Sequence, residues 1–121
     1  MKKSLVIGAS ENIDRYSNKA IRSLLQHGHQ VLALGSRKGE VLAIPIHTDT
    51  TALEMADLDT ITVYISPKYQ SEYMDWIVAQ KPKRVIFNPG TENADFAQKL
   101  AASGIEAIEA CTLVLLATNQ Y

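Results

Sequence analysis

The sequence predicts an α/β domain: a mostly parallel five-stranded sheet between two helical layers, a Rossmann-like three-layer αβα arrangement in one domain over residues 1–121. Two observations predict it. Short apolar runs alternate with helix-period segments about five times from end to end, and such alternation builds a parallel sheet whose right-handed crossovers carry their helices outside. Composition is ordinary for a globular chain of this length, with 46% hydrophobic and 21% charged residues, so one domain is the expectation.

Lys3 to Ile7 reads as the first strand, stopped by Gly8. A helix begins near Ser17, with Ala20, Ile21, Leu24 and Leu25 on one apolar stripe, and ends near Gly28. Val31 to Leu34 is the second strand, stopped by Gly35. Gly39 to Thr48 is less regular, with an extended piece at Ile44 to His47. Thr51-Ala52-Leu53-Glu54 fits a capping box and predicts a short helix. Thr60 to Ile65 is β-branched and aromatic, hence a strand. Ser66-Pro67 supplies an N-cap and a first-turn proline for a helix carrying Tyr69, Tyr73, Trp76 and Ile77 on its core side. Arg84 to Phe87 is the next strand, Asn88-Pro89-Gly90-Thr91 a turn, and Ala94 to Ala102 a helix with Ala97, Leu100 and Ala101 inward. Ile105 to Ile108 is the last strand and Cys111 to Ala117 a closing helix whose apolar Leu113–Leu116 is either buried or a homodimer or partner-protein contact.

Several classes are excluded at this level. A net charge of −1 gives no broad footprint for nucleic acid. No apolar run is long enough to span a bilayer. The basic and apolar start is too short for a signal peptide and reads as a strand. The one cysteine, Cys111, forms no internal disulfide, so a reducing cytoplasm is the simplest setting. His27, His29 and His47 have no metal-site spacing, and no nucleophile elbow or P-loop pair is visible, so no catalytic residue is assigned.

In open parallel sheets ligands bind beyond the carboxyl ends of the strands. The turns falling there are Gly8–Ser17, Gly35–Gly39, Ser66–Pro67, Asn88–Glu92 and Glu109–Thr112, and they should converge on one cleft. At the first, a strand feeds a helix N-terminus, whose unpaired N–H groups and dipole suit a phosphate; Ser10, Arg15 and Ser17 stand in the same loop. The dinucleotide fingerprint G-x-G-x-x-G fails, because Ser10 and Ile13 follow Gly8 where glycines belong. The second strand ends in Gly35-Ser36-Arg37-Lys38, with cations where a bare ribose would want a carboxylate. Arg and Lys suit a ribose carrying its own phosphate. Coenzyme A and NADP both qualify.

On these residues the chain resembles the small stand-alone CoA-binding proteins, whose fold is similar to the CoA-binding domain of the succinyl-CoA synthetase alpha subunit. Gly8-Ala9-Ser10 with Arg15-Tyr16-Ser17 matches the family's G-A-S…R-Y-S pattern. Gly35-Ser36-Arg37 stands where the family has N-P-K, Ser66-Pro67 for its R-P, Asn88-Pro89-Gly90 for its Q-x-G, and Cys111 for its cysteine after the last strand. The resemblance implies binding of CoA or acyl-CoA in an extended pose. Gly8, Ala9 and Ser10 would hold the pyrophosphate, completed by Arg15, Tyr16 and Ser17. Arg37 with Lys38 would face the ribose phosphate, Ser66 and Pro67 would border the adenine or pantetheine, and Asn88 to Thr91 the thiol end. The function expected is a CoA-binding module without evident catalytic machinery. The alternative is a small NADP-binding oxidoreductase or a redox-sensing protein using Cys111.

Overall fold

The computed structural model describes residues 1–121. Seven strands form one sheet in the order β3-β4-β2-β1-β5-β6-β7. They are β1 (Lys3–Ile7), β2 (Gln30–Leu34), β3 (Gly39–Val41), β4 (Ile44–His47), β5 (Thr60–Val63), β6 (Arg84–Phe87) and β7 (Glu106–Glu109). The helices are α1 (Tyr16–Gln26), α2 (Pro67–Gln80), α3 (Ala94–Ala102) and α4 (Thr112–Ala117). All pairings are parallel except β3 with β4.

The expected count of five strands is therefore too low. The irregular stretch after β2 folds into a hairpin, β3 turning at Leu42-Ala43 into β4, which adds to the β2 edge. Leu42 and Ala43 both take positive φ, 47° and 68°, the conformation a tight two-residue hairpin turn requires. Glycine or asparagine normally marks such a turn, so the sequence carried no signal for it.

Strand β1 is central, and its side chains alternate between two cores. Leu5 and Ile7 join a cluster with Leu34, Ile61, Val63, Ile77, Phe87, Phe96 and Leu100, beneath α2 and α3. Val6 joins Ile21, Leu24, Ala33 and Leu116, beneath α1 and α4. The period of two along a strand is the cause, and burial on both faces explains the unbroken apolar runs Leu5–Ile7 in β1 and Val85–Phe87 in β6. The connection from β4 to β5 has no helix of ordinary length. The predicted capping box at Thr51 is replaced by a single 3-10 turn over Thr50–Ala52, capped by Asp49, whose carboxylate accepts from the Thr51 N–H. Leu53 and Leu58 from this connection pack into the α2/α3 core, covering the sheet where a crossover helix would otherwise lie.

Other boundaries shift by a residue or two. β5 ends at Val63, β7 runs Glu106–Glu109, and α1 starts at Tyr16 with Arg15 at the N-cap. On α3 the buried side chains are Phe96 and Leu100, while Ala101 faces solvent. The side chain of Ser66 makes no capping bond, although it holds the N-cap position with Pro67 after it. His29 ties this end of the molecule to β1: its Nδ1 accepts from the Lys2 N–H, and burial holds its pKa below the ordinary value.

Strand order reverses at β1. The chain runs outward from β1 to β2 on one side and returns to β5 on the other, so the crevice lies at the carboxyl ends of β1 and β5. Two glycines shape it. Gly8 ends β1 with φ +93°, where an L side chain is strained. Gly35 ends β2 beneath the β1 loop, and a Cβ there would strike the Ala9 carbonyl oxygen and lie 2.9 Å from Ile46 Cγ2. Gly35→Ala is expected to lower stability by about 1–3 kcal/mol, the cost of overpacking a close contact. Chemical denaturation measures it, and an unchanged midpoint would show that the β1 loop shifts freely.

Candidate functional site

The carboxyl ends of β2, β1, β5, β6 and β7 open into one cleft of about 1320 Å³. Each of the five turns expected to converge does line it. Gly8, Ala9, Ser10, Arg15, Tyr16 and Ser17 come from the β1 loop; Gly35, Ser36, Arg37 and Lys38 from the β2 loop; Ser66 from the start of α2; Asn88, Pro89, Gly90 and Thr91 from the β6 turn; and Cys111 from the start of α4. Pro67, in the first turn of α2, is not among the residues that line it. Glu11, Tyr64, Ile65, Tyr69, Glu72, Tyr73 and Leu113 also line the cleft and carried no signal as site residues.

The β1 loop is held from below. The N–H groups of both Gly8 and Ala9 donate to the Leu34 carbonyl, at 2.9 and 3.0 Å. Those two amides are therefore spent within the fold and are not free for the pyrophosphate contact expected of them. The amides of Ser10, Tyr16, Ser17 and Asn18 have no acceptor within the chain; the first hydrogen bond of α1 is Lys19 N–H to the Arg15 carbonyl. They are the orphan donors of a helix start. Buried Asn18 fixes the loop over them: its amide NH₂ donates to the Ser10 carbonyl at 2.9 Å, and its Oδ1 accepts from Arg22 Nε at 2.7 Å. Ser10 Oγ accepts from the Asn12 N–H, keeping its own proton for a ligand. Ser17 is buried in the first turn of α1 rather than capping it, and its hydroxyl has no partner in the chain.

Arg15, Arg37 and Lys38 are exposed, and none pairs with a carboxylate. Three uncompensated cations and a row of free amides thus meet at the β1/β2 side of the cleft. One carboxylate stands near them: Glu11 accepts from the Glu40 N–H at 3.0 Å and lies across Gly39, tying the β1 loop to the edge hairpin.

The opposite wall is built on a buried polar network. Asn88 Nδ2 donates to Thr62 Oγ1 at 2.7 Å and to the Val63 carbonyl at 2.9 Å, while its Oδ1 accepts from the Thr112 N–H at 2.9 Å. Thr62 and Thr112 hydroxyls meet at 2.7 Å. Pro89 and Gly90, the latter at φ +91°, form the central pair of a type II turn closed by Thr91 N–H to Asn88 carbonyl. The Thr91 hydroxyl donates to that same carbonyl. Gln70, buried on α2, donates to the Ile65 and Thr91 carbonyls and accepts from Asn93. So the side-chain polar groups of Asn88 and Thr91 hold the wall together. Tyr69 departs from the core stripe expected of α2: it is 54% exposed and faces the cleft, with half-buried Tyr73 beside it.

Cys111 is half-buried at the N-cap of α4 and makes no capping bond. Beside it lies Tyr64, whose hydroxyl is buried without a hydrogen-bond partner. Burial pushes its pKa up to about 12; the nearby Thr112 and Thr62 hydroxyls oppose this only in part, and neither is aligned to bond with it. No group of His, Cys, Asp or Glu side chains is arranged to hold a metal, and no helix is long and apolar enough to cross a membrane.

Comparison with known proteins adds a family to this geometry. A family profile described as a CoA binding domain matches residues 2–117. The crystal structure of an uncharacterized protein superimposes with a TM-score of 0.95 at 42% identity, over 100% of this chain and 98% of that one. A conserved hypothetical protein from Pyrococcus furiosus aligns with a TM-score of 0.82 at 26% identity, over 94% and 98%. A dinucleotide-forming acetyl-coenzyme A synthetase of Ca. Korarchaeum cryptofilum, in complex with phosphate and ADP, shares the fold at a TM-score of 0.74 and 13% identity, over 92% of this chain and 26% of that one. No curated protein matches the chain.

Burial raises the pKa of Tyr64, Tyr73 and Tyr121 above the ordinary tyrosine value of 10.0. Above that pH the unfolded chain ionises first and so binds fewer protons than the native one; stability therefore stays level below pH 10 and falls towards pH 12. Urea midpoints measured from pH 7 to 12 should show this fall, and Tyr64→Phe should flatten it. A wild-type midpoint unchanged from pH 10 to 12 would be incompatible with buried phenols.

Proposed function

Since this chain belongs to the CoA binding domain family, we propose that it binds coenzyme A in the cleft at the β1/β5 switch point, and that it acts as a binding module rather than as a complete enzyme. The observation that carries this reading is the meeting of Arg15, Arg37 and Lys38, all without ion-pair partners, with the acceptor-free amides of Ser10 and Tyr16 to Asn18. Such donors fit a pyrophosphate, because aligned N–H groups and the positive end of an eleven-residue helix bind anions without further rearrangement.

In this reading the pyrophosphate lies over the start of α1, with Ser10 and Ser17 hydroxyls and the Arg15 guanidinium completing its shell. Arg37 and Lys38, two strands' width from β5 on the far side of β1, take the phosphate on the ribose. Gly8 and Gly35 act by size: each lets backbone pass where a side chain would fill the floor. The pantetheine arm then runs across β5 and β6 towards Asn88–Thr91 and Cys111. Asn88 and Thr91 serve there as wall, since their polar atoms are already engaged. The setting expected is the cytoplasm.

Calorimetric titration with CoA, dephospho-CoA, NADP and NAD tests the reading. CoA should bind more tightly than the other three. Arg15→Ala should weaken CoA by about 1.5–3 kcal/mol, the range for hydrogen bonds to charged groups. Arg37→Ala should reduce the preference for CoA over dephospho-CoA. Tighter binding of NADP would move the protein to the redox class, and equal affinity of the wild type for CoA and dephospho-CoA would overturn the assignment of Arg37.

A further inference from the structure

The two halves of the cleft differ in charge. Every cation lining it, Arg15, Arg37 and Lys38, stands on the loops after β1 and β2. The half over β5, β6 and β7 has a single charged residue, Glu72 on α2, and that is a carboxylate. Side chains there that expose apolar surface include Ile65, Tyr69, Tyr73, Pro89 and Leu113. The side-chain amide of Asn88 is spent on β5 and α4, and the Thr91 hydroxyl donates to a backbone carbonyl, whereas the hydroxyls of Ser66, Tyr69 and Tyr73 and the Cys111 thiol have no partner in the chain. Adjacent strands are about 4.8 Å apart, so β2 to β7 spans roughly 19 Å. The cleft, at about 1320 Å³, exceeds the ~300–1,000 Å³ of ordinary small-molecule sites.

We propose that this cation-free half receives a neutral acyl chain carried as a thioester on the CoA sulfur, and that Glu72 selects against acyl chains ending in a carboxylate. The inference rests on the reading of the cleft as a CoA site. An aliphatic chain gains by covering Ile65, Tyr69, Tyr73 and Leu113, and it asks nothing of hydrogen-bonding groups already spent. A terminal carboxylate meets the charge of Glu72, and the cations that line the cleft all stand on the β1/β2 side. Lys68, on the same helix but outside the lining, holds its Nζ 4.9 Å from the Tyr69 ring centroid. Nothing in this arrangement breaks the thioester; the proposal concerns binding and selection only.

Four-carbon acyl groups separate the possibilities. Calorimetry with CoA, acetyl-CoA, butyryl-CoA and succinyl-CoA should give affinities rising from CoA to butyryl-CoA, by up to about threefold for each methylene covered. Succinyl-CoA, of the same chain length as butyryl-CoA, should bind about fivefold or more weakly than it, the scale of a partly screened like-charge contact. Glu72→Gln should close most of that gap while leaving CoA itself unchanged, and Tyr69→Ala should erase part of the butyryl gain. Thermal unfolding of both variants confirms that they remain folded; each replaces an exposed side chain. Butyryl-CoA binding no tighter than CoA, or succinyl-CoA matching butyryl-CoA, overturns the inference and leaves CoA binding intact. Failure of all four ligands overturns both.

Discussion

One buried amide holds the cleft in shape. Asn88 stands at the end of β6 with almost no exposure, and its side chain bonds to β5 on one side and to the first N–H of α4 on the other. A buried amide without partners costs more than its bonds return, so the group is stable only when all three contacts form together. That requirement locks the register of β5 against β6 at their carboxyl ends. It also sets where α4 begins, and so where Cys111 and Leu113 meet the cleft. The Thr62–Thr112 pair and the Gln70 bridge extend the same logic to α2. In the half of the cleft built this way, the polar side-chain groups of Asn88, Thr62 and Thr112 are spent on one another and on the backbone.

The other half follows the opposite rule. There the fold leaves donors unsatisfied. The Leu34 carbonyl takes the amides of Gly8 and Ala9, which turns the chain sharply out of the sheet, and Asn18 then pins the Ser10 carbonyl. With that carbonyl facing the helix, the amides at the start of α1 have nothing to bond within the protein. Unpaired cations gather beside them. Such donors suit an anion, and the division of the cleft into a cationic half and a half without cations accords with the proposed ligand, which carries its phosphates at one end.

Much of this was legible from the chain itself, for identifiable reasons. β1, β6 and α3 fall at their predicted residues because each has an unambiguous period and a clear stop, at Gly8, at Asn88-Pro89 and at Gly104. The residues of the loops at the strand ends were also legible, since a parallel sheet must carry its ligand there. The hairpin of β3 and β4 was not, because Leu42-Ala43 adopts a left-handed turn with residues that do not advertise one. Nor was the role of Thr51, where a capping pattern is present but Asp49 competes for the same amide.

The sequence by itself determined the class of fold, the place of the glycine turn after β1 and the cations around it, because these depend on local period, glycine and charge. Which amides are free to bind an anion was decided only in three dimensions: Gly8 and Ala9 look available until Leu34, from another strand, accepts both. The same holds for Asn88 and Thr91, whose polar atoms are consumed by partners from β5, α4 and their own turn. Tyr69 and Glu72 became cleft residues through where α2 packs over the strand ends, which no helical period encodes. Hydrogen-bond satisfaction is a pairwise property of groups distant in sequence, and only packing settles it.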